Sequence, residues 1–363
     1  MWLSPQPECA EGEHGRSSAM NSVERVRTVL EGGRPDRVPT FEIIIDQSIV
    51  DVLFPGCDRF DIVEKLDLDA VCFGITTDTR DVEWVDVDKR IFRDKWGALQ
   101  RITTDVIPIA CEPPRIETEA DLDAYVPPDG NDQYFIDQAK QVVARFKGQR
   151  AIVFVGEAVF APSQYLRAGL ENLLIDYGTR PEFVEKLAKI GVEYYVELYR
   201  RVIAEGVEIV LLGDDYAWKN GPFMSPAHFE RFILPGFRTV VQEIKRAGAH
   251  VIKHTDGDIW KILDMIVSTG VDALGPLEPL PTMDMARIRA HCDNQVAVMG
   301  NVDVDLLGRG TREQVVEATM HLLRTVSPGG GHILSSGNTI SSAVNPENYL
   351  AMVETVKRYG VYE

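Results

Sequence analysis

Short apolar runs alternate with longer amphipathic ones from Met20 to the end of the chain. "RVPTFEIII", "DAVCFGI", "AIVFVGE", "EIVLLGDD", "HVIKHTD", "DALGPLE", "VAVMGN" and "HILSSGN" are mostly rich in β-branched or aromatic residues and short enough to be strands. Between many of them, "PEFVEKLAKIGVEYYVELYRRVIAEG", "SPAHFERFILPGFRTVVQEIKRAG", "IWKILDMIVSTG", "TREQVVEATMHLLRTV" and "PENYLAMVETVKRYG" repeat apolar residues at three and four, the spacing of a helix with one buried face. Ser225–Pro226, Thr311 with Glu313, and Asn345–Pro346 read as helix starts; Gly206, Gly248 and Gly270 read as helix ends. Strand, loop and helix repeated about eight times predict an α/β fold, a single (β/α)8 TIM-type barrel over residues 20–363. The stretch Leu99–Arg150 breaks the rhythm, and "WGALQRITTDVIPIACEPP" predicts a small β insertion in the N-terminal half. A doubly wound open sheet is the competing fold, but the chain lacks its glycine-rich strand-to-helix fingerprint.

A barrel makes the C-terminal ends of its strands the place for chemistry. Here they carry Glu42 and Asp46, Thr76 and Thr77, Glu157, Asp214 and Asp215, His254 and Asp256, Glu278, Asn301 and Asp303, and Ser335, Ser336 and Asn338. Such convergence of polar groups predicts a functional cup. His254 and Asp256, two apart in "KHTDGD", share one face of a strand. They could hold a zinc ion together or work as an acid/base pair, or Asp256 could simply orient the imidazole. Asp258 precedes "IWKILDMIV" and reads as that helix's N-cap. Of the neighbours Asp214 and Asp215, one is expected to face the cup. Glu157 is a candidate general acid if apolar surroundings raise its pKa, or else a salt-bridge partner of Arg167.

Composition narrows the classes. The chain has 363 residues, 38 basic and 56 acidic, for a net charge of −18. That excludes the basic footprint of a nucleic-acid binder and disfavours anionic membranes. Five widely spaced cysteines form no CxxC pair, which excludes a disulfide framework and fits a reducing cytoplasm. No apolar run has the ~20 residues of a membrane span. Residues 1–19 lack a signal-peptide core and are expected to be a disordered leader.

Two further features invite functional readings. Asp264, Cys292 and His332 include zinc-type donors, but Cys292 and His332 precede their strands, on the face opposite the mouth. The glycine run in "SPGGGHIL" also precedes a strand and is expected to be a tight turn rather than a phosphate cradle.

"ERVRTVLEGGRPDRVPTFE", "GDDYAWKNGPFMSPAHFERFILPGFRTVVQEIKRAGAHVIKHTDGDI", "STGVDALGPLEP", "VAVMGNVDVDLL" and "GGGHILSSGNTISSAVNPENYLAMVETVKRYG" occur in that order and resemble the uroporphyrinogen decarboxylase-like superfamily. The resemblance covers most of Met20 to Gly360 and implies a single barrel with its site at the C-terminal mouth. One branch of that superfamily decarboxylates a tetrapyrrole without a cofactor; another holds cobalamin-dependent methyltransferases. The decarboxylases carry an arginine-bearing R-Q-A-G-R-Y loop that grips substrate carboxylates, where this chain reads "PTFEIIIDQSIVD". Arginine forks are what bidentate carboxylate binding needs, so the resemblance is to the methyltransferase branch. Thiol-activating members hold zinc with H-x-C and a later G-C cysteine. His254 matches the first ligand, but Asp256 stands in the second position and "SSGN" in the third.

The resemblance therefore implies methyl transfer from a small methylated compound, such as an aryl methyl ether, to Co(I) of a corrinoid carried by a partner protein docked at the mouth. His254, Asp256, Glu157 and Asp214 are the expected catalytic residues. Asp215, Glu42, Asn301, Ser336, Asn338 and Glu278 are the expected substrate-binding residues. His254 and Asp256 are the expected ligands if zinc is bound, and a homodimer is a candidate assembly. Cofactor-free decarboxylation is the alternative activity.

Overall fold

The computed structural model describes residues 20–74, 82–103 and 108–362. Thr76 and Thr77, and the leader expected over residues 1–19, lie outside the described residues. In chain order the strands are β1 (Ala70–Phe73), β2 (Glu83–Asp86), β3 (Ile91–Arg93), β4 (Leu99–Arg101), β5 (Ile109–Cys111), β6 (Ala151–Gly156), β7 (Ile209–Leu212), β8 (Ala217–Trp218), β9 (Gly221–Pro222), β10 (His250–Lys253), β11 (Ala273–Leu274), β12 (Ala297–Met299) and β13 (His332–Ile333).

Seven of these form one parallel sheet in the order β1-β6-β7-β10-β11-β12-β13. The segment around Thr40 closes it. Thr40 bridges Leu334 in parallel register. The Leu334 amide donates to the Pro39 carbonyl at 2.9 Å, and the Asp69 amide donates to the Thr40 carbonyl at 2.8 Å. "RVPTFEIII" thus supplies the eighth stave, reduced to isolated bridges at Thr40 and Ile45. Closure removes the open-sheet alternative and aligns the C-terminal ends of all the staves at one mouth.

The apolar runs behave as their composition demands. All six residues of β6 and all four of β7 are buried, because a parallel strand in a barrel is covered on both sides. The helix Pro181–Glu205 buries Phe183, Leu187, Tyr194, Leu198 and Val202 along one face, starts on a proline and ends at Gly206 in the left-handed conformation, φ 117°. Thr311 forms a capping box, with Gln314 rather than Glu313 as its reciprocal partner. No helix among the described residues is long and apolar enough to cross a membrane.

Two expectations change. The insertion is a four-stranded antiparallel sheet, β2-β3-β4-β5, that begins at Glu83 rather than at Leu99. The helix after "HTDGD" starts only at Leu263, with Ile262 at its N-cap position. Asp258 instead accepts the Trp260 amide at 3.0 Å, closing a tight turn before the helix.

Candidate active site

The mouth opens into a cavity of about 1080 Å³. His254 follows β10 and is 9% exposed there. Its Nδ1 lies 2.8 Å from the Pro276 carbonyl oxygen. A carbonyl only accepts, so Nδ1 carries the proton and Nε2 faces the mouth. Two carboxylates meet that nitrogen: Asp215 Oδ1 at 3.8 Å and Asp256 Oδ1 at 3.9 Å. Both distances exceed a hydrogen bond. They suit three ligand atoms around one shared ion, since two bonds of about 2.1 Å span ligand separations of about 3–4 Å.

Local structure holds each member in place. The Asp256 amide donates to Asp215 Oδ1 at 2.8 Å. Asn338 Nδ2 donates to both Asp256 oxygens, at 3.0 and 2.8 Å. Gly257 has φ +86°, and a Cβ there would sit 2.5 Å from the Ala217 carbonyl carbon, so only glycine lets this turn lie against the β8–β9 hairpin. The Gly257 amide donates to Glu278 Oε2 at 3.0 Å, which places Glu278 on the same rim. Burial raises the Asp256 pKa; the charge of Asp215 and, more weakly, Glu278 adds to this, against the opposing pull of His254. A divalent cation would relieve that repulsion, and among the described residues Asp215, His254 and Asp256 are the set whose ligand atoms lie within 4.8 Å of one another. The donors fit an oxygen- and nitrogen-bound ion such as zinc, with the Pro276 carbonyl and the Asn338 amide as the outer contacts such ligands use.

Glu157 follows β6. Its Oε1 accepts from the Tyr165 hydroxyl and its Oε2 from the Tyr195 hydroxyl at 2.8 Å, while its carbonyl accepts from the Tyr199 hydroxyl. Burial, with the Asp214 charge nearby, pushes its pKa up to about 7. The alternative pairing with Arg167 is not formed: Arg167 binds Asp176 at 2.6 Å.

Other residues expected in the cup serve its walls. Asp214 is 1% exposed, and its carboxylate accepts from the amides of Ala158, Val159, Phe160 and Ala161 at 2.8–3.3 Å. It anchors the start of the helix Phe160–Leu166 and does not line the mouth cavity, unlike its neighbour Asp215. Glu42 is buried beneath the mouth, accepting from the Ser336 amide at 3.0 Å and the Ser336 hydroxyl at 2.6 Å. This pair ties the first stave to the last, and burial raises the Glu42 pKa to about 8. Asn301 is half-buried beside β12, outside the cavity lining. Asp46 and Asp303 cap the helices that follow them. Asp264 pairs with His291 at 2.7 Å, and His332 is enclosed between Ser327 Oγ and the Gly300 carbonyl, so neither joins Cys292 in a metal site.

Sequence reasoning missed Lys253, which is fully buried in the barrel with its ammonium donating to the Leu212, Asp214 and His254 carbonyls and lying 4.1 Å from the Tyr216 ring centroid. It also missed Tyr165, eight residues beyond Glu157, and Tyr195, on a later helix; their helical spacing signals only core, and packing decides which hydroxyl meets the carboxyl group.

The family model for uroporphyrinogen decarboxylase matches residues 92–359. A uroporphyrinogen decarboxylase of Idiomarina loihiensis is 27% identical over 184 residues, 49% of each chain. One from Myxococcus xanthus is 31% identical over 182 residues, 50% of this chain and 49% of that one. The chain spans about half the length of these curated relatives. A methyltransferase from Methanosarcina mazei shares the fold with a TM-score of 0.71 at 15% identity, over 93% of this chain and 99% of that one. Since the family match runs from the insertion to the last helix and takes in every residue of the Asp215, His254 and Asp256 cluster, the chain belongs to the uroporphyrinogen decarboxylase family.

Proposed function

We propose that this protein is the substrate-side methyltransferase of a corrinoid system, taking a methyl group from a small methylated compound such as an aryl methyl ether. The observation that carries the reading is the charge of the mouth. Glu157, Asp215, Asp256 and Glu278 line it with His254, and no lysine or arginine lines it among the described residues. A tetrapyrrole polycarboxylate needs cationic forks, whereas a small uncharged donor does not. The methyltransferase of the same fold from Methanosarcina mazei accords with the scaffold's suitability for such a task.

The corrinoid of a partner protein would supply the nucleophile that accepts the methyl group. Asp215, His254 and Asp256 would hold a divalent cation, which would polarise the donor's oxygen. Glu157, poised near neutrality, would hold the proton that the departing oxygen needs. Asp214 would act through the loop it anchors rather than by touching substrate, and Glu42 with Ser336 by keeping the barrel closed.

The test is to incubate the protein with a reduced corrinoid protein and a panel of methoxylated aromatics, following the absorbance of the methylated corrinoid. Growth of that signal with at least one donor is expected. Silence with every donor, together with carbon dioxide release from a tetrapyrrole carboxylate, would replace this reading with the decarboxylase one that the names of the curated relatives suggest.

A further inference from the structure

A second cavity, of about 610 Å³, lies between the β2–β5 insertion and the outer side of the barrel mouth. Phe92 and Trp96 line it from the insertion, Phe135 from the helix Gln133–Phe146, Phe154 from β6, and Tyr195 from the helix Pro181–Glu205. Phe135 and Phe154 already meet edge-to-face at 5.4 Å. Such walls favour a planar ring over an aliphatic one of the same size.

The polar groups restrict the ring's charge. Lys95 donates to Asp132 Oδ2 at 3.2 Å and to the Tyr194 hydroxyl, and its ammonium lies 4.3 Å from the Phe135 ring centroid. Arg93 donates to Glu83 at 3.1 Å. Among the described residues both cations of this cavity are therefore already matched by carboxylates, and Asp94 and Glu157 line it as well, so an added carboxylate would go unpaired in a half-buried aromatic space. An uncharged ring bearing hydroxyl or ether oxygens meets no such penalty. Lys95, whose ammonium has a third N–H beyond its bonds to Asp132 and Tyr194, and the Glu157 carboxyl group are among the polar lining groups that those oxygens can meet. Glu157 is also the link between the sites: with Pro108, Val155 and Tyr165 it lines both this cavity and the mouth.

We infer that this side cavity is a binding site for an uncharged, oxygen-substituted aromatic ring, with Lys95 and Glu157 addressing its oxygens. This deepens the proposed function by seating the ring of the methyl donor, and rests on that reading for the reaction but not for the binding.

Titration calorimetry of the full chain with guaiacol and with methoxycyclohexanol tests it. Guaiacol should bind about tenfold more tightly, the scale of an aromatic contact. Phe135→Leu, which keeps apolar bulk but removes a ring, and Lys95→Met, which removes the N–H, should each weaken guaiacol by a similar factor with the fold intact by circular dichroism. Should Phe135→Leu not fold, Lys95→Met decides alone. Equal affinity for the two ligands, or unchanged guaiacol binding in the folded variants, overturns the site. Methyl transfer from aliphatic donors without guaiacol binding would remove this site and leave the functional reading. Guaiacol binding with no transfer from any donor would do the reverse.

Discussion

Asn338, beyond the last stave, donates one amide nitrogen to both carboxylate oxygens of Asp256, at 3.0 and 2.8 Å. The contact spans 82 residues of sequence and fixes the plane of the carboxylate beside His254. Asn338→Ala should therefore lower the affinity for a divalent cation by about 10–100-fold, the usual cost of losing an outer contact to a ligand. Metal titration of the purified variant measures this; unchanged affinity would dissociate Asn338 from the site.

His254 is the nitrogen donor of the cluster, and its Nδ1 is committed to Pro276. His254→Ala should strip bound divalent metal and cut turnover by at least about 10²-fold. The melting temperature should fall only modestly with the fold intact, because the change removes one buried hydrogen bond, to the Pro276 carbonyl. Metal analysis and rate assays on one preparation check both halves; full activity would remove His254 from the mechanism.

Glu157 has its pKa pushed up to about 7 by burial. If its protonated form serves the departing oxygen, the rate falls as pH rises through about 7. Glu157→Gln cannot give up a proton, so its rate should be about 10²–10⁴-fold lower and flat across that range. A pH–rate profile that keeps its inflection in the variant assigns the proton elsewhere.

Glu42 carries the same physics into stability. Its folded pKa of about 8 lies above the ordinary 4.5, so the folded state holds the proton more tightly than the unfolded one. The stability it contributes is full below pH 4.5, falls as pH rises from there, and is lost by about pH 8. At ~1.4 kcal/mol per unit the loss is on the order of 5 kcal/mol. Glu42→Gln keeps an acceptor for the Ser336 amide without the charge, and should flatten this decline and be the more stable form at pH 9. Denaturant unfolding at several pH values measures the difference.

Asp214 accepts four backbone amides at the start of the helix Phe160–Leu166. Asp214→Ala leaves those donors buried and unmet, which should cost roughly 3 kcal/mol of stability. Asp214→Asn retains one acceptor oxygen and should cost less. Urea unfolding ranks the two; equal and negligible costs would mean that the loop has other support.

The barrel was legible in the chain because it is written in local terms. Each of the eight apolar runs became a stave or, for "RVPTFEIII", a bridging segment, since a run of β-branched residues between two amphipathic helices buries itself as a parallel strand covered on both sides. His254 and Asp256 were legible for the same reason: two residues apart at a strand end, they face one side whatever the rest of the fold does.

Other assignments depend on residues far apart in sequence. Asp214 and Asp215 are indistinguishable in "GDDY", yet one is taken up by four amides of a distant loop and the other meets His254. Glu42, Asp46, Asp303 and Ser336 looked like mouth residues because polarity after a strand is common to catalytic groups, helix caps and buried braces alike. The tyrosines around Glu157 carried no local signal, because a tyrosine at helical spacing is first of all core. Local sequence specified which residues leave the strand ends. Closure of the barrel specified which of them meet, because a carboxylate takes its role from the donors and charges that the far side of the chain brings within a few ångströms.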